Sequence, residues 1–173
     1  LHTVSGEVGI KTAIQEGADV LLFDSISNIE ELFLLLSAAN SGMLVFATAT
    51  GNNTVSLLNR FLDSVPQNLR SSLAASLADL LKGIIVQHLI PVVGGEGLVL
   101  ATESMKVSST IANLLRKEEI AQIPAALSSA KGTAISLDDS LKMLVDSGYI
   151  EGVEAWKHAF DARSFASYRP GRN

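Results

Sequence analysis

The 173-residue chain contains no cysteine, one tryptophan, four prolines and only 5% aromatic residues. Without cysteine it can form no disulfide, thiolate metal site or iron–sulfur cluster, and it has no thiol nucleophile. Its three histidines, His2, His88 and His158, are spread too widely in sequence to form a local metal motif, so no metal site is expected. Basic charge is also short: 13 Lys and Arg face 18 Asp and Glu, for a net charge of −5. A protein that works through phosphate-backbone contacts carries a basic face, so nucleic acid is not expected as a partner. The chain begins at Leu1 with no basic segment leading into an apolar one. The expectation is a fragment, or a chain whose start has been removed.

What is present is apolar bulk, at 47% of residues, enough for a packed core in a length that suits about one domain. Residues 32–59 carry no charge, yet Ser37, Asn40, Ser41, Asn52 and Asn53 lie within them. That polar density does not suit a lipid-facing helix of about 20 residues.

Residues 18–23 form a short apolar run closed by Asp24, as for a strand buried on both faces. Ser27 and Glu30 form an S-x-x-E capping box ahead of Ile29, Leu32, Phe33 and Leu36 at helical spacing. Asn40-Ser41-Gly42 ends that helix, and residues 43–48 make a second buried strand. Strand, helix, strand implies a βαβ crossover and a parallel sheet. Two helices follow, one carrying Val55, Leu58 and Leu62, the next starting after Pro66. Residues 83–93 and 98–107 are β-branched and apolar around Gly94-Gly95-Glu96-Gly97, a β-hairpin. From Ser108 onward short helices are expected to the end, with Ser136 and Asp139 as another helix start and Trp156 in an apolar stripe. The expected organisation is an α/β part over 1–107, a helical subdomain over 108–166 and a disordered tail over 167–173.

Read in order, these segments resemble the C-terminal half of the type II and type IV secretion and type IV pilus motor ATPases. Gly6-Glu7-Val8-Gly9 is similar to that family's R-E-V-G element. Residues 36–48 resemble its A-L-x-A-A-E-T-G-H-L-V-x-x-T stretch, and Leu80 to Pro91 its L-K-G-I-I-x-Q-x-L-x-P run. Residues 110–116, Thr-Ile-Ala-Asn-Leu-Leu-Arg, resemble the A-I-R-N-L-I-R element of the retraction branch that drives twitching motility. Leu137-Asp138-Asp139-Ser140-Leu141 through Gly148-Tyr149-Ile150 match the terminal helices. The absence of cysteine argues against the branch with a four-cysteine zinc module.

The resemblance implies the C-terminal part of a RecA-like P-loop NTPase sheet, with a β-hairpin followed by a helical bundle. It implies ATP and Mg²⁺ as family cofactors, none of them bound by this chain alone. It also implies a cytoplasmic hexameric ring, or a hetero-oligomer with an active paralogue, docked through partners on an inner-membrane platform protein. Three departures bear on chemistry. No G-x-x-x-x-G-K-[ST] occurs in the chain, and in the family that loop lies upstream of R-E-V-G. The Walker B sequence is replaced by Asp24-Ser25-Ile26-Ser27-Asn28, so Ser25 stands where the family has its catalytic glutamate. A serine hydroxyl cannot act as a base at neutral pH. Thr50 stands where the family has its His-box histidine.

Glu7, Asp24 and Thr48 are the candidate nucleotide-binding residues, each with a simpler reading beside it. Asp24 is either a ligand group at a strand's carboxyl end or a turn aspartate. Glu7 either adjoins nucleotide or is a solvated glutamate in a glycine-flanked loop. Thr48 and Thr50 either touch phosphate or bond backbone. Gly94, Gly95 and Gly97 join two strands and do not lead into a helix, so they are not a phosphate loop. Ser25, His88 and Asp24 lack the G-x-S-x-G elbow of a hydrolase. Two functions follow: part of an ATP-driven motor for pilus retraction or secretion, or a degenerate paralogue that serves as a structural or regulatory subunit.

Overall fold

Four helices of this chain stop in the same way, and those stops set where the strands and turns begin. After helix α1 (Gly6–Gln15), Gly17 takes a φ of 67°; its amide bonds Ile14 O at 3.2 Å, and Ala18 N bonds Ala13 O at 3.1 Å. This is a Schellman stop, which needs a left-handed residue just past the helix. The same pair of bonds recurs at Gly42 after α2 (Ile29–Asn40) and at Gly148 after α7 (Leu137–Asp146). After α5 (Ser109–Arg116) the left-handed residue is not glycine but Glu118, at φ 58°.

A computed structural model describes residues 5–129 and 134–170. His2, Ala130 and residues 171–173 of the expected tail lie outside that range. The described residues fall into two compact units, 5–82 with 107–120, and 83–106 with 121–129 and 134–170.

In the first unit, β1 (Val20–Phe23) pairs in parallel with β2 (Leu44–Ala47), in the register Leu21↔Val45 and Phe23↔Ala47, with α2 as the crossover. The βαβ reading is therefore observed. Burial on both faces is not. Leu21, Phe23 and Val45 pack toward Ile10 of α1 and Leu35 and Ala38 of α2. Val20, Leu22, Leu44 and Phe46 alternate to the opposite face and are exposed there. An all-apolar strand shows that both faces suit burial, but it cannot say that both coverings belong to the same stretch of chain.

Helix α3 (Thr54–Asp63) starts at Asn53, whose side chain accepts from Ser56 N at 2.8 Å. Helix α4 (Gln67–Leu80) follows Pro66 and packs against α5. Arg70 on α4 donates to Asp63 Oδ1 at 2.5 Å and to Glu118 Oε2 at 2.7 Å, while Ser71 Oγ donates to Glu118 Oε1 at 3.1 Å. Arg116 also pairs with Asp79.

In the second unit, β3 (Gly83–Pro91) and β4 (Leu98–Lys106) form the expected hairpin, with Gly94, Gly95 and Gly97 all at positive φ in its turn. Its inner face carries Ile90 and Ala101 into a core with Leu141, Ile150, Ala155 and Phe165, and Trp156 packs against that core. One strand breaks the purely helical pattern expected after Ser108. A two-residue strand, β5 (Ala134–Ile135), pairs with β4 opposite Ser104 and Met105. Beyond its end, Ser140 Oγ of α7 accepts from Thr102 N at 3.1 Å and takes over for the missing strand. The other elements are α6 (Ile123–Ser129), α8 (Gly152–His158) and two 3₁₀ turns, Ile120–Gln122 and Ala162–Tyr168. The last turn runs two residues into the stretch expected to be a tail, held by Phe165 in the core. Among the described residues no helix is long and apolar enough to cross a membrane.

Candidate functional site

The carboxyl ends of β1 and β2 carry three of the sequence-predicted residues into one hydrogen-bonded knot. Parallel α/β sheets place ligands beyond this end of their strands. Thr48, just past β2, bonds Phe23 O through its amide at 3.0 Å. Its hydroxyl donates to Asp24 Oδ1 at 2.7 Å and accepts from Ser25 N at 2.8 Å. Its carbonyl accepts from Ile26 N at 2.8 Å. The loop leaving β1 is thus stitched to the end of β2 through one threonine.

Ser25 sits in this loop at φ 65°. A non-glycine residue pays about 1–2 kcal/mol for that conformation, so the bonds from Thr48 must hold it there. Asp24, Ser25 and Thr48 all lie on the exposed rim of the sheet.

The loop then enters α2, and here the sequence reading is off by one residue. The helix cap is Asn28, not Ser27: Asn28 Oδ1 accepts from Glu31 N at 2.8 Å. Glu31, not Glu30, reaches back, and its Oε2 accepts from Ser27 N and Ser27 Oγ, both at 2.8 Å. Asn28-x-x-Glu31 is as good a start signal as Ser27-x-x-Glu30, and only the fold chooses between them. Glu31 is buried. The Ser27 amide holds its carboxyl below the usual range; burial opposes this, while the Ser27 hydroxyl and the Asn28 backbone add to the lowering. Glu31 is the residue that sequence reasoning missed. It is an ionised anchor for the loop, not a proton-transfer group.

Glu7 stands in the first turn of α1, half-buried, with Lys11 Nζ at 3.9 Å. It is outside the knot, although its neighbour Gly6 packs against Glu31 and the Phe23 ring. Thr50 is exposed on the loop between β2 and α3. In the second unit, His88 and His158 lie edge to face with ring centroids 6.2 Å apart. Among the described residues no cluster of three or more His, Asp or Glu side chains could hold a metal ion. The hollow of about 210 Å³ lined by Ile14, Gly17, Asp19, Ser41 and Met43 lies at the amino ends of the strands, away from the knot.

The side-chain groups at the knot, one carboxylate and one hydroxyl whose proton is already given to it, offer only acceptors, which suit a hydrated cation. They do not make a phosphate site: they include no lysine and no cradle of glycine amides.

No protein-family model matches the chain. Individual proteins do. The chain is 28% identical over 166 residues to a twitching motility protein of Neisseria gonorrhoeae, covering 95% of this chain and 44% of that protein. It is 30% identical over 158 residues to the type IV pilus retraction ATPase PilT of Pseudomonas aeruginosa, covering 91% of this chain and 46% of PilT. The crystal structure of the pilus retraction motor PilT with bound ADP superposes with a TM-score of 0.85 at 28% identity, over 94% of this chain and 46% of that one. The chain belongs to the type IV pilus and secretion ATPase family. Within that family it matches the C-terminal domain, and it spans under half the length of these relatives. The Yersinia pseudotuberculosis ATPase DotB, with a TM-score of 0.79 at 19% identity over 89% of this chain and 40% of its own, shares the fold.

Proposed function

We propose that this chain is part of a pilus-retraction or secretion motor ATPase and contributes the far rim of the nucleotide site without the group that activates water. On this reading the full protein forms a hexameric ring with ATP and Mg²⁺ between subunits, in the cytoplasm against a membrane platform. The chain alone does not hydrolyse. The observation that carries this is the knot at Ser25. The position where the family has its glutamate holds a short hydroxyl in a left-handed turn, tied through its backbone to Thr48. Thr50 stands where the family has its histidine, so that position offers no imidazole. Asp24 is the carboxylate at the rim, held by its bond from Thr48 where it can orient a hydrated cation.

The test is phosphate release from ATP by the 173-residue chain and by the polypeptide that its gene encodes, with PilT as positive control. The expected result is none from the chain, and from the full polypeptide turnover far below that of PilT. Turnover by the chain alone would overturn the reading.

A second reading, a non-catalytic paralogue that builds or regulates a ring with an active partner, is supported by the paired replacements at Ser25 and Thr50. It predicts that the full polypeptide binds ATP, does not turn it over, and co-purifies with a family member that does. Rescue by Ser25→Glu in a protein shown to bind ATP would favour the first reading.

A further inference from the structure

Two histidines that the nucleotide site does not use meet inside the second unit. Strand β3 alternates Val86, His88 and Ile90 onto one face, and Val86 and Ile90 are buried there. His88 stands opposite Ala101 of β4, which is fully buried in the core that Ala155 of α8 also joins. His158 is the last residue of α8. Both histidines are half-buried, and their rings meet edge to face with centroids 6.2 Å apart and planes at 70°. Imidazole gains or loses its charge between about pH 5 and 8, so this contact joins two ionisable rings from two different elements.

We propose that the His88–His158 contact is an acid-released clasp, which fastens α8 to the inner face of the hairpin near neutral pH and opens when both rings are charged. A neutral pair, or a pair with one proton, suits the contact, because a cationic ring edge is attracted to the face of a neutral ring. Two protons place like charges at that separation. At an effective dielectric of about 20 this disfavours the closed form by roughly a hundredfold, and by less where salt screens it. The charged groups on the surrounding elements do not remove the conflict. On α8, Glu154 lies one turn before His158 and holds Lys157 at 2.6 Å. On α7, Asp138 accepts from the Phe160 and Asp161 amides at 2.7 and 3.0 Å, and Asp139 accepts from the Ser136 hydroxyl at 2.7 Å. Lys142 and Asp146 of the same helix are exposed. In the turn after α8, Asp161 pairs with Arg163, and Arg169 is exposed. On β4, Glu103 is buried two residues along from Ala101, and Lys106 is exposed at the strand's end. These carboxylates balance one proton on the pair, but a second proton still meets the first. The opened segment takes both protons freely. In acid it therefore binds more protons than the closed form, so the closed form loses stability as pH falls.

The experiment reads hydrogen–deuterium exchange by mass spectrometry on the polypeptide that the gene encodes, from about pH 7.5 to about pH 5, with intrinsic exchange rates divided out. Peptides covering α8 should lose about tenfold in protection over that range. Peptides covering α2, in the first unit, are the control and should stay level; an equal loss there would mark general unfolding and overturn the proposal. His158→Phe keeps an aromatic edge without a charge, and His88→Gln removes the other ring. Each should flatten the α8 profile to less than about a twofold change. His158→Phe should also keep α8 protected near neutral pH, which separates lost titration from lost packing. If His88→Gln is too unstable to read, His158→Phe alone decides. A flat profile in the unaltered protein, or a steep one in either variant, would overturn the proposal. No nucleotide is added in any arm, so the outcome is independent of the motor reading.

Discussion

Gly6 and Glu31 are held so close that a Cβ on the glycine would stand 2.9 Å from Glu31 Oε1 and 2.9 Å from the tip of the Phe23 ring. Glu31 cannot simply retreat, because Ser27 holds its other oxygen with two hydrogen bonds. Gly6→Ala should gain about 0.5–1 kcal/mol from helix propensity at α1 and lose about 1–3 kcal/mol to the overlap. The expected outcome is net destabilisation, read as a lower urea midpoint with an unchanged m-value.

Thr48 is the stitch between the strand ends, so its hydroxyl should matter more than its methyl. Thr48→Val removes the acceptor of Ser25 N and the donor to Asp24, at a cost of about 1 kcal/mol, since both groups can turn to water. Thr48→Ser should restore most of the loss. A loss in Thr48→Ser with little or none in Thr48→Val would assign the role to packing.

Glu31 predicts a direction of acid sensitivity. Its folded pKa lies below the unfolded value of 4.5, so its stabilisation is fully present above that value and is lost as pH falls through the folded one. Denaturant midpoints should therefore fall on the acid side of about pH 4.5. Glu31→Gln should flatten that limb while lowering stability near neutral pH.

Backbone strain at Ser25 is separable from its side chain. Ser25→Gly accepts φ 65° freely and should cost nothing or stabilise by up to about 1 kcal/mol. Ser25→Val, β-branched in the same conformation, should destabilise by about 1–2 kcal/mol. Ser25→Glu must carry the same left-handed strain as serine, so any catalytic rescue is read on a protein whose thermal midpoint has been checked first.

Glu118 combines a left-handed stop with an ion pair, and the two can be taken apart. Glu118→Ala loses the bonds from Arg70 and Ser71 and keeps the strain. Glu118→Gly loses the same bonds and relieves the strain, so it should be the more stable of the two by about 1 kcal/mol. A thermal melt of the pair checks this.

The βαβ crossover and the hairpin were legible because their signals are local. Gly42 stops α2, the apolar runs around Leu21 and Val45 are short, and the three turn glycines sit between two β-branched stretches. The order of motifs carried the family assignment. What escaped needed the third dimension. Two overlapping cap patterns, at Ser27 and Asn28, differ by one residue, and the choice rests on where Glu31 finds burial. β5 is two residues long, too short for any periodicity. The exposed face of β1 and β2 has the same sequence signature as a buried one, because the residues suit a cover that the described chain does not supply. At the site, Asp24 and Thr48 were named for ligand chemistry, and the structure adds that they bond each other first.

Val107 N bonds Lys82 O at 3.0 Å, so the hairpin leaves the first unit and returns to it through a closed neck. The polypeptide therefore passes between the units three times, after Lys82, after Lys106 and after Ile120. A single proteolytic nick at residues 121–129 would not release either unit as a separate fragment. The severed carboxyl piece would lose its chain link but leave its partner hairpin rooted in the other body, and the nicked protein should run as one species until denaturant is added.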